Sequence, residues 1–468
     1  MSFAKALALG SVMAVSATAL QAETVLDQTQ RTDLSLTLYQ NGLGFVRDVR
    51  KAKLDGGEQT FVFEDVSRQL TPDSLLISGQ GFFVQERRFD FDLLTPPALL
   101  EKSVGKTVQF RRFNSVTGKD DLISAKILSA KGLVVIERDG KIEVGQPGRL
   151  IVDQLPEGLR AKPALTAKIK GMQTGETSLA LAYLSNGLQW HTSYSAEIGV
   201  DGKSLVMQSW ANLTNTSGVD YNNASLSLAA GQINREHSAP PRLEKMARAD
   251  TMAMRTMGAA PEMAANAPQA LGGLHLYDLG RQVDLKDQET KQVALMAPLS
   301  LASERVLVQR FGPTYGQYRG GDQPVHPRVE IRFDNNAEAP LPDGVVRLYR
   351  RDQAGELQFV GEDKLARIPR GGEAVLHPGE SFDVTLKRTQ TDFERAGENS
   401  FEAAYQVVIK NARDTKETVR VEEAFPGQWD LEDSSHKAIR ENNRAVWKVD
   451  VAAGKTQTLT YRVKVRLR

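Results

Sequence analysis

Period-two alternation of apolar and polar residues, turn pairs at short intervals and a near absence of helical spacing together predict an all-β fold. The expected architecture is a set of β-sandwich-like units with a small SH3-like barrel inserted and few short helices. A chain of 468 residues exceeds what one hydrophobic core usually serves, since roughly 150 residues make a domain. With 41% hydrophobic, 25% charged and 7% aromatic residues, its composition is that of a globular chain rather than a disordered or membrane-embedded one.

Residues 1–22 precede the alternating pattern and read as a secretory signal peptide. They hold one cation, Lys5, then an uncharged stretch from Ala6 to Leu20, then small residues before Glu23. Cleavage is expected after Ala22, because cleavage after Ala19 leaves Leu20 and Gln21 as a stub. A buried N-terminal helix is the competing account; Gly10, Ser11, Val12 and Thr18 and the lack of a polar stripe weigh against it. No later segment approaches the ~18 uninterrupted apolar residues of a transmembrane helix. The expected location is the periplasm or the exterior.

Residues 23–100 make an N-terminal β domain, with strands expected at 34–40, 44–53, 60–65, 74–78 and 82–91. Leu34, Leu36 and Leu38 alternate with Ser35, Thr37 and Tyr39, and Asn41-Gly42 supplies a pair that tolerates the positive φ of a tight hairpin. A short helical turn is expected near Pro97 to Lys102. Residues 101–160 then pack five short strands around turns at Thr117-Gly118 and Asp139-Gly140, which suggests the small SH3-like barrel, inserted into the first sheet. Residues 161–399 carry longer strands, with a second pair, Asn186-Gly187, expected to turn a hairpin between 178–183 and 188–198. Residues 400–468 close the chain as a sandwich-like unit. There Leu459, Tyr461, Val463, Val465 and Leu467 alternate with Thr460, Arg462, Lys464, Arg466 and Arg468.

Certain segments carry a resemblance. Tyr183 to Tyr194, Ser209 to Asn215 and Ala224 to Leu228, followed by Pro340 to Arg347, Phe359 to Glu362 and Trp447 to Tyr461, resemble the bacterial exported proteins grouped as domain of unknown function 4139, some of which are called mucoidy inhibitor-like. The resemblance covers about 160 to 468, and the region Leu38 to Arg47 is similar to the family's usual N-terminal companion. Tyr221 stands where the pattern leads one to expect Trp, and it keeps an aromatic anchor. The resemblance implies a fold and no reaction.

Chemical motifs are mostly missing. The chain has no cysteine, so disulfides, thiolate metal sites, a cysteine nucleophile and a lipid-anchored N-terminal cysteine are excluded. Lys and Arg number 59 against 58 acids, and removing Lys5 with the leader balances them, which argues against a nucleic-acid partner. Gly105-Lys106-Thr107 and Gly454-Lys455-Thr456 end like phosphate loops, but Leu100 and Val449 occupy the positions of the required first glycine. The six histidines show no helical metal-ligand spacing, and no serine sits in a nucleophile elbow. Asp90 and Asp92 share a strand face that is better read as solvated than as a cation site. Asn212, Asn215 and Asn223 begin glycosylation-type triplets that are expected to be idle. Tryptophans 190, 210, 429 and 447 are read as core rather than as a sugar platform, and the ladder Arg462, Lys464, Arg466, Arg468 as protection of an exposed sheet edge.

The segment 237–273 breaks the alternation. It is rich in Ala and Pro and holds Met246, Met252, Met254, Met257 and Met263. Three accounts compete: a flexible loop, which its composition favours, a pliable docking surface, and thioether capture of Cu(I). The expectation that follows is an exported protein without enzymatic activity or cofactor, which binds a protein or another component of the bacterial cell envelope. The alternative is a periplasmic hydrolase or other enzyme in which distant residues such as His191, His275 and His326 meet. An outer-membrane barrel is a third reading, weakened by charged polar faces and by Arg468 where a terminal aromatic is expected.

Overall fold

The computed structural model describes residues 23–90, 94–154, 156, 159–160, 162–234, 268–318 and 323–467. Its order begins β1 (Thr24–Leu26), β2 (Arg31–Tyr39), β3 (Leu43–Glu64), β4 (Leu76–Ser78) and β5 (Phe82–Asp90), then one short helix, α1 (Pro96–Lys102). The barrel strands follow: β6 (Thr107–Asn114), β7 (Lys119–Ser129), β8 (Val135–Arg138), β9 (Lys141–Val144) and β10 (Arg149–Ile151). The long β11 (Ala164–Asn186) returns to the first sheet.

β2 and β3 form the expected hairpin at Asn41-Gly42, where Gly42 alone takes positive φ, +78°. Separate strands were expected on either side of Gly56-Gly57, but β3 runs on through the pair. Both glycines sit at positive φ inside the strand, opposite a register slip between Gly171 and Thr174 of β11. Positive φ here makes a bend rather than a turn, because β11 supplies ladder partners on both sides of it. The outer neighbours change across the bend: β2 and β4 flank one half of the β3–β11 pair, and β1 and β5 the other.

β5 and β11 pair directly, Asp90 opposite Ala164, so everything between them in sequence is an insertion. That insertion is a five-stranded sheet in the order β10-β6-β7-β8-β9, as an SH3-like barrel requires. It closes over its own small core of Phe110, Ala125, Ile127, Val134 and Ile136. Thr95 caps α1 at the entrance by accepting from the Ala98 amide, with Pro96 and Pro97 in the first turn, where a missing N–H costs nothing.

The chain continues with β12 (Leu188–Ile198), β13 (Ser204–Asn215), β14 (Tyr221–Ala230), β15 (Gln269–Leu271), β16 (Leu274–Leu285), β17 (Glu289–Ala294) and β18 (Leu299–Phe311). Asn186-Gly187 turns no hairpin. β11 and β12 do not pair; β12 joins the next sheet beside β13 and β20 (Gly344–Arg351). The pair makes a corner instead: the Asn186 amide donates to Gln69 O, the Gly187 carbonyl accepts from the Thr216 amide, and a Cβ on Gly187 would lie 2.7 Å from the Gln69 side chain.

The single buried face of the β12–β13 hairpin serves two cores. Leu188, Trp190, Ala211 and Leu213 pack under the first sheet, whereas Tyr194, Ala196, Leu205 and Met207 belong to the second core. β18 repeats the device, with Leu301 in the second core and Leu307 in the third. The second core is completed by β19 (Arg328–Asp334), β20, β21 (Leu357–Leu365) and β22 (Glu373–Glu380). The third lies between β18, β25 (Glu417–Ala424), β27 (Ala438–Glu441) and β28 (Arg444–Val451) on one side and β23 (Val384–Arg395), β24 (Ser400–Asn411), β26 (Gln428–Ser434) and β29 (Thr456–Arg466) on the other. Trp447 and Tyr461 stack at its centre with ring centroids 4.6 Å apart.

The basic ladder of β29 protects no edge. β29 is hydrogen-bonded to β24 on one side and β26 on the other, so its cations stand on the outer face of a central strand. Arg462 pairs with Asp392 at 2.6 Å and Lys464 with Glu402 at 2.9 Å. Alternation reports which face a side chain takes but not a strand's place in its sheet, so an edge strand and a central one carry the same pattern.

At three crossovers between facing sheets the same residue type does the same work. Asn215, Asn335 and Asn411 are fully buried, and each accepts through Oδ1 from the amide two residues on, at 3.0, 3.1 and 3.0 Å. Each Nδ2 donates to the carbonyl four residues on, that of Val219, Ala339 or Thr415. It also donates to a carbonyl on a neighbouring segment: Leu285, Pro369 or Val451. The repeat pairs backbone groups that have left one ladder and not yet joined the next. Replacing Asn335 or Asn411 by Ala strands these groups in the interior and is expected to lower stability by about 1–3 kcal/mol each. Asp is expected to rescue little, since it lacks the donor. Urea unfolding followed by tryptophan fluorescence checks this, and a shift below about 0.5 kcal/mol would rule the corner out as a stabilising element.

Candidate functional site

The same alternation that fills the cores sets the outer face of the six strands β22, β19, β18, β25, β28 and β27. Leu307, Ile331, Val419, Val421 and Trp447 point inward, so Arg310, Glu330, Arg332, Arg420, Glu422 and Arg444 point outward. Strand pairing sets Arg310 opposite Glu422. The charges interlock: Arg310 reaches Glu330 at 2.7 Å and Glu422 at 3.0 Å, and Arg420 donates to Glu422 at 2.7 Å and to Glu441.

Glu330 lies beneath this face with no solvent exposure. Burial by itself would raise its pKa, but the hydrogen bonds from Arg332, at 3.0 and 2.7 Å, and the Arg310 guanidinium outweigh that and hold its carboxyl below the usual range. His377 on β22 stands between two carboxylates, with Nε2 3.3 Å from Glu330 and Nδ1 3.1 Å from Asp363. Its backbone amide also donates to Asp363.

Two clefts open on this face, with Arg310 in the wall of both. One, of about 420 Å³, is lined by Arg332, Arg420, Glu422, Glu441 and Arg444 among others, and its carboxylates Glu422 and Glu441 are already paired with arginines. The other, of about 490 Å³, is lined by Val308, Gln309, Val325, His326, Arg328 and Glu380. Among the described residues no group of three or more His, Asp and Glu is arranged to hold a metal ion.

The residues singled out from the sequence fall elsewhere. Met246, Met252, Met254, Met257 and Met263 lie outside the described residues, as do Asp92 and the side chain of Asp90. Trp190, Trp429 and Trp447 are buried in the cores, and Trp210 is half-buried. His191 is on β12, His275 on β16 and His326 just before β19. The charged face has little signature in the sequence because its members are spread over seven segments. Its only sequence trace is the spacing Glu330-x-Arg332 and Arg420-x-Glu422 within apolar strands.

Inside the third core a second buried charge faces the other way. Glu423 is fully buried, 2.6 Å from Arg388, and accepts from the Tyr461 hydroxyl at 2.9 Å, while Arg388 lies 4.3 Å over the Tyr405 ring. Burial pushes the Glu423 carboxyl up to about 7, against the pull of Arg388 and Tyr461. The folded chain therefore keeps a proton that the unfolded chain releases in the ordinary carboxylate range, so this contribution to stability is full below that range and is lost as pH rises toward 7. Thermal melting between about pH 4.5 and 7 should show that loss, and Glu423→Gln should flatten it. An unchanged profile in the variant would assign the titration to another group.

The curated proteins give no match to this chain. A family described as Domain of unknown function (DUF4139) matches residues 179–467, from the half of β11 beyond the bend to the end of β29. That span contains all three asparagine corners and both clefts, while β2 and β3, which lie outside it, complete its first sheet by pairing with β14 and β11. The match covers more than half of the chain, which thus belongs to the DUF4139 family.

Proposed function

We propose that the chain is an exported, non-enzymatic binding or scaffold protein of the bacterial cell envelope. The observation that carries this reading is the sharing of strands between cores: β12–β13 pass from the first to the second and β18 from the second to the third. Surface groups on separate sandwiches are then held at fixed spacing by continuous backbone, as presentation of a binding surface requires. The leader-like residues 1–22 and the absence of cysteine support export to an oxidising compartment. Balanced charge supports a partner other than nucleic acid, and among the described residues no helix is long and apolar enough to cross a membrane.

Three measurements test the proposal. Intact-mass analysis of the protein from the producing bacterium is expected to find a chain beginning at Glu23 in the periplasmic or secreted fraction, and an abundant cytoplasmic form retaining Met1 would overturn export. The mature chain, immobilised and exposed to envelope extract, is expected to retain a saturable envelope component. Turnover of an envelope substrate by the mature chain, abolished by substitution of a histidine or carboxylate, would overturn the non-enzymatic reading.

A further inference from the structure

In the cleft beside Arg310 and His326, Arg310 is paired with Glu330 and Glu422, but among the described residues its other charged side chains are uncommitted. Arg328 stands directly opposite Glu380 across β19 and β22, yet among the described residues neither side chain makes an ion pair or a hydrogen bond. Gln309 donates to the Arg310 carbonyl at 3.2 Å, and among the described residues its side-chain oxygen has no partner. His326 engages the Ser381 carbonyl through Nδ1 at 2.7 Å, which makes that nitrogen the donor and leaves Nε2 as an acceptor.

Next to these groups the fold holds an aromatic ring in water. Phe382 is 90% exposed, and its nearest ring is that of His326, 6.4 Å away and 23° from parallel. The exposure is not loose backbone. The Ser381 amide donates to Pro327 O at 2.9 Å, and Val325 and Leu386 exchange a pair of backbone bonds at 2.9 and 2.8 Å, so the segments bearing the two rings are fastened to each other on both sides. A large apolar ring fixed outside every core contributes nothing to packing, and its fixed place beside a polar cleft suits ligand recognition.

We propose that this cleft binds a neutral saccharide, with Phe382 and His326 as the stacking platform and Arg328, Glu380, Gln309 and Arg310 as the hydrogen-bonding wall. The inference rests on the binding reading above and names its ligand class. The cleft's charge decides the class: Arg328 and Arg310 disfavour a cation, and Glu380 together with the buried Glu330 disfavours an anion. A hydroxyl donates and accepts at once, so a run of hydroxyls satisfies a guanidinium, a carboxylate, an amide oxygen and an imidazole nitrogen without net charge. The C–H face of a pyranose ring is apolar and flat enough to cover a phenyl ring. A cleft of about 490 Å³ falls within the range of small-molecule sites and admits a short oligosaccharide.

Isothermal titration of the mature chain with maltotetraose, cellotetraose and N-acetylchitotetraose tests this. At least one sugar is expected to bind saturably, with a Kd that changes little from about 0.05 to about 0.5 M NaCl, as befits a neutral ligand. Phe382→Ala and Arg328→Ala are each expected to weaken it about tenfold or more, equivalent to about 1.4 kcal/mol, with unchanged thermal melting because both side chains are exposed. No binding by any of the three sugars, or equal binding by wild type and both variants, overturns the assignment. So does binding confined to anionic polymers or to a peptide. If the immobilised chain still retains an envelope component, only the cleft assignment fails; if it retains nothing, the binding reading fails with it.

Discussion

Backbone that leaves one sheet to enter another loses its ladder partners in the middle of an apolar interior, and this protein must make such crossings between successive cores. The buried asparagine at each of three corners supplies both an acceptor and a two-hydrogen donor at the point of departure. With the crossing satisfied, a strand is free to continue from one core into the next. That continuity ties β12, β13 and β18 to two cores apiece and makes the sandwiches parts of one body.

Buried charge is handled in two opposite ways within a short stretch of the same sheet. On the outer face Glu330 is held by the Arg310 and Arg332 guanidinium groups, which compensate its lost hydration and keep it ionised. On the inner face Glu423 has one arginine and one tyrosine, and burial prevails. Adjacent residues of β25 thus send carboxylates to either side of the sheet: Glu422 into the charged surface and Glu423 into the core. A network of this kind constrains the packing of β18, β19, β22 and β25 more tightly than apolar contacts would, because each misplaced strand leaves a charge without a partner.

The two clefts sharing Arg310 show how the same face separates structure from recognition. In one, Glu422 and Glu441 are taken up by Arg310 and Arg420, and these pairs tie neighbouring strands of the sheet together. In the other, Arg328 and Glu380 face each other across adjacent strands without pairing, next to a ring that the cores do not use. Uncommitted polar groups on rigid strands are what binding needs and what folding does not require.

Much was legible from the chain alone. Period-two alternation is a local property, so the all-β class, the barrel strands, the hairpin at Asn41-Gly42 and the burial of Trp190 and Trp447 could be read without tertiary knowledge. The segments around Asn186 and Trp210 also carried the family resemblance. What alternation does not encode is which strands become neighbours. The bend at Gly56-Gly57, the corner at Asn186-Gly187 and the central position of β29 all depend on pairings between residues far apart in sequence. The charged face and the saccharide cleft share that dependence. Arg310, Arg328 and the stretch Glu380 to Phe382 come from three separate segments, each ordinary in its own context, and only the register of β18, β19 and β22 brings them to one surface, because side-chain proximity in a sheet is set by hydrogen-bonded partners rather than by sequence spacing.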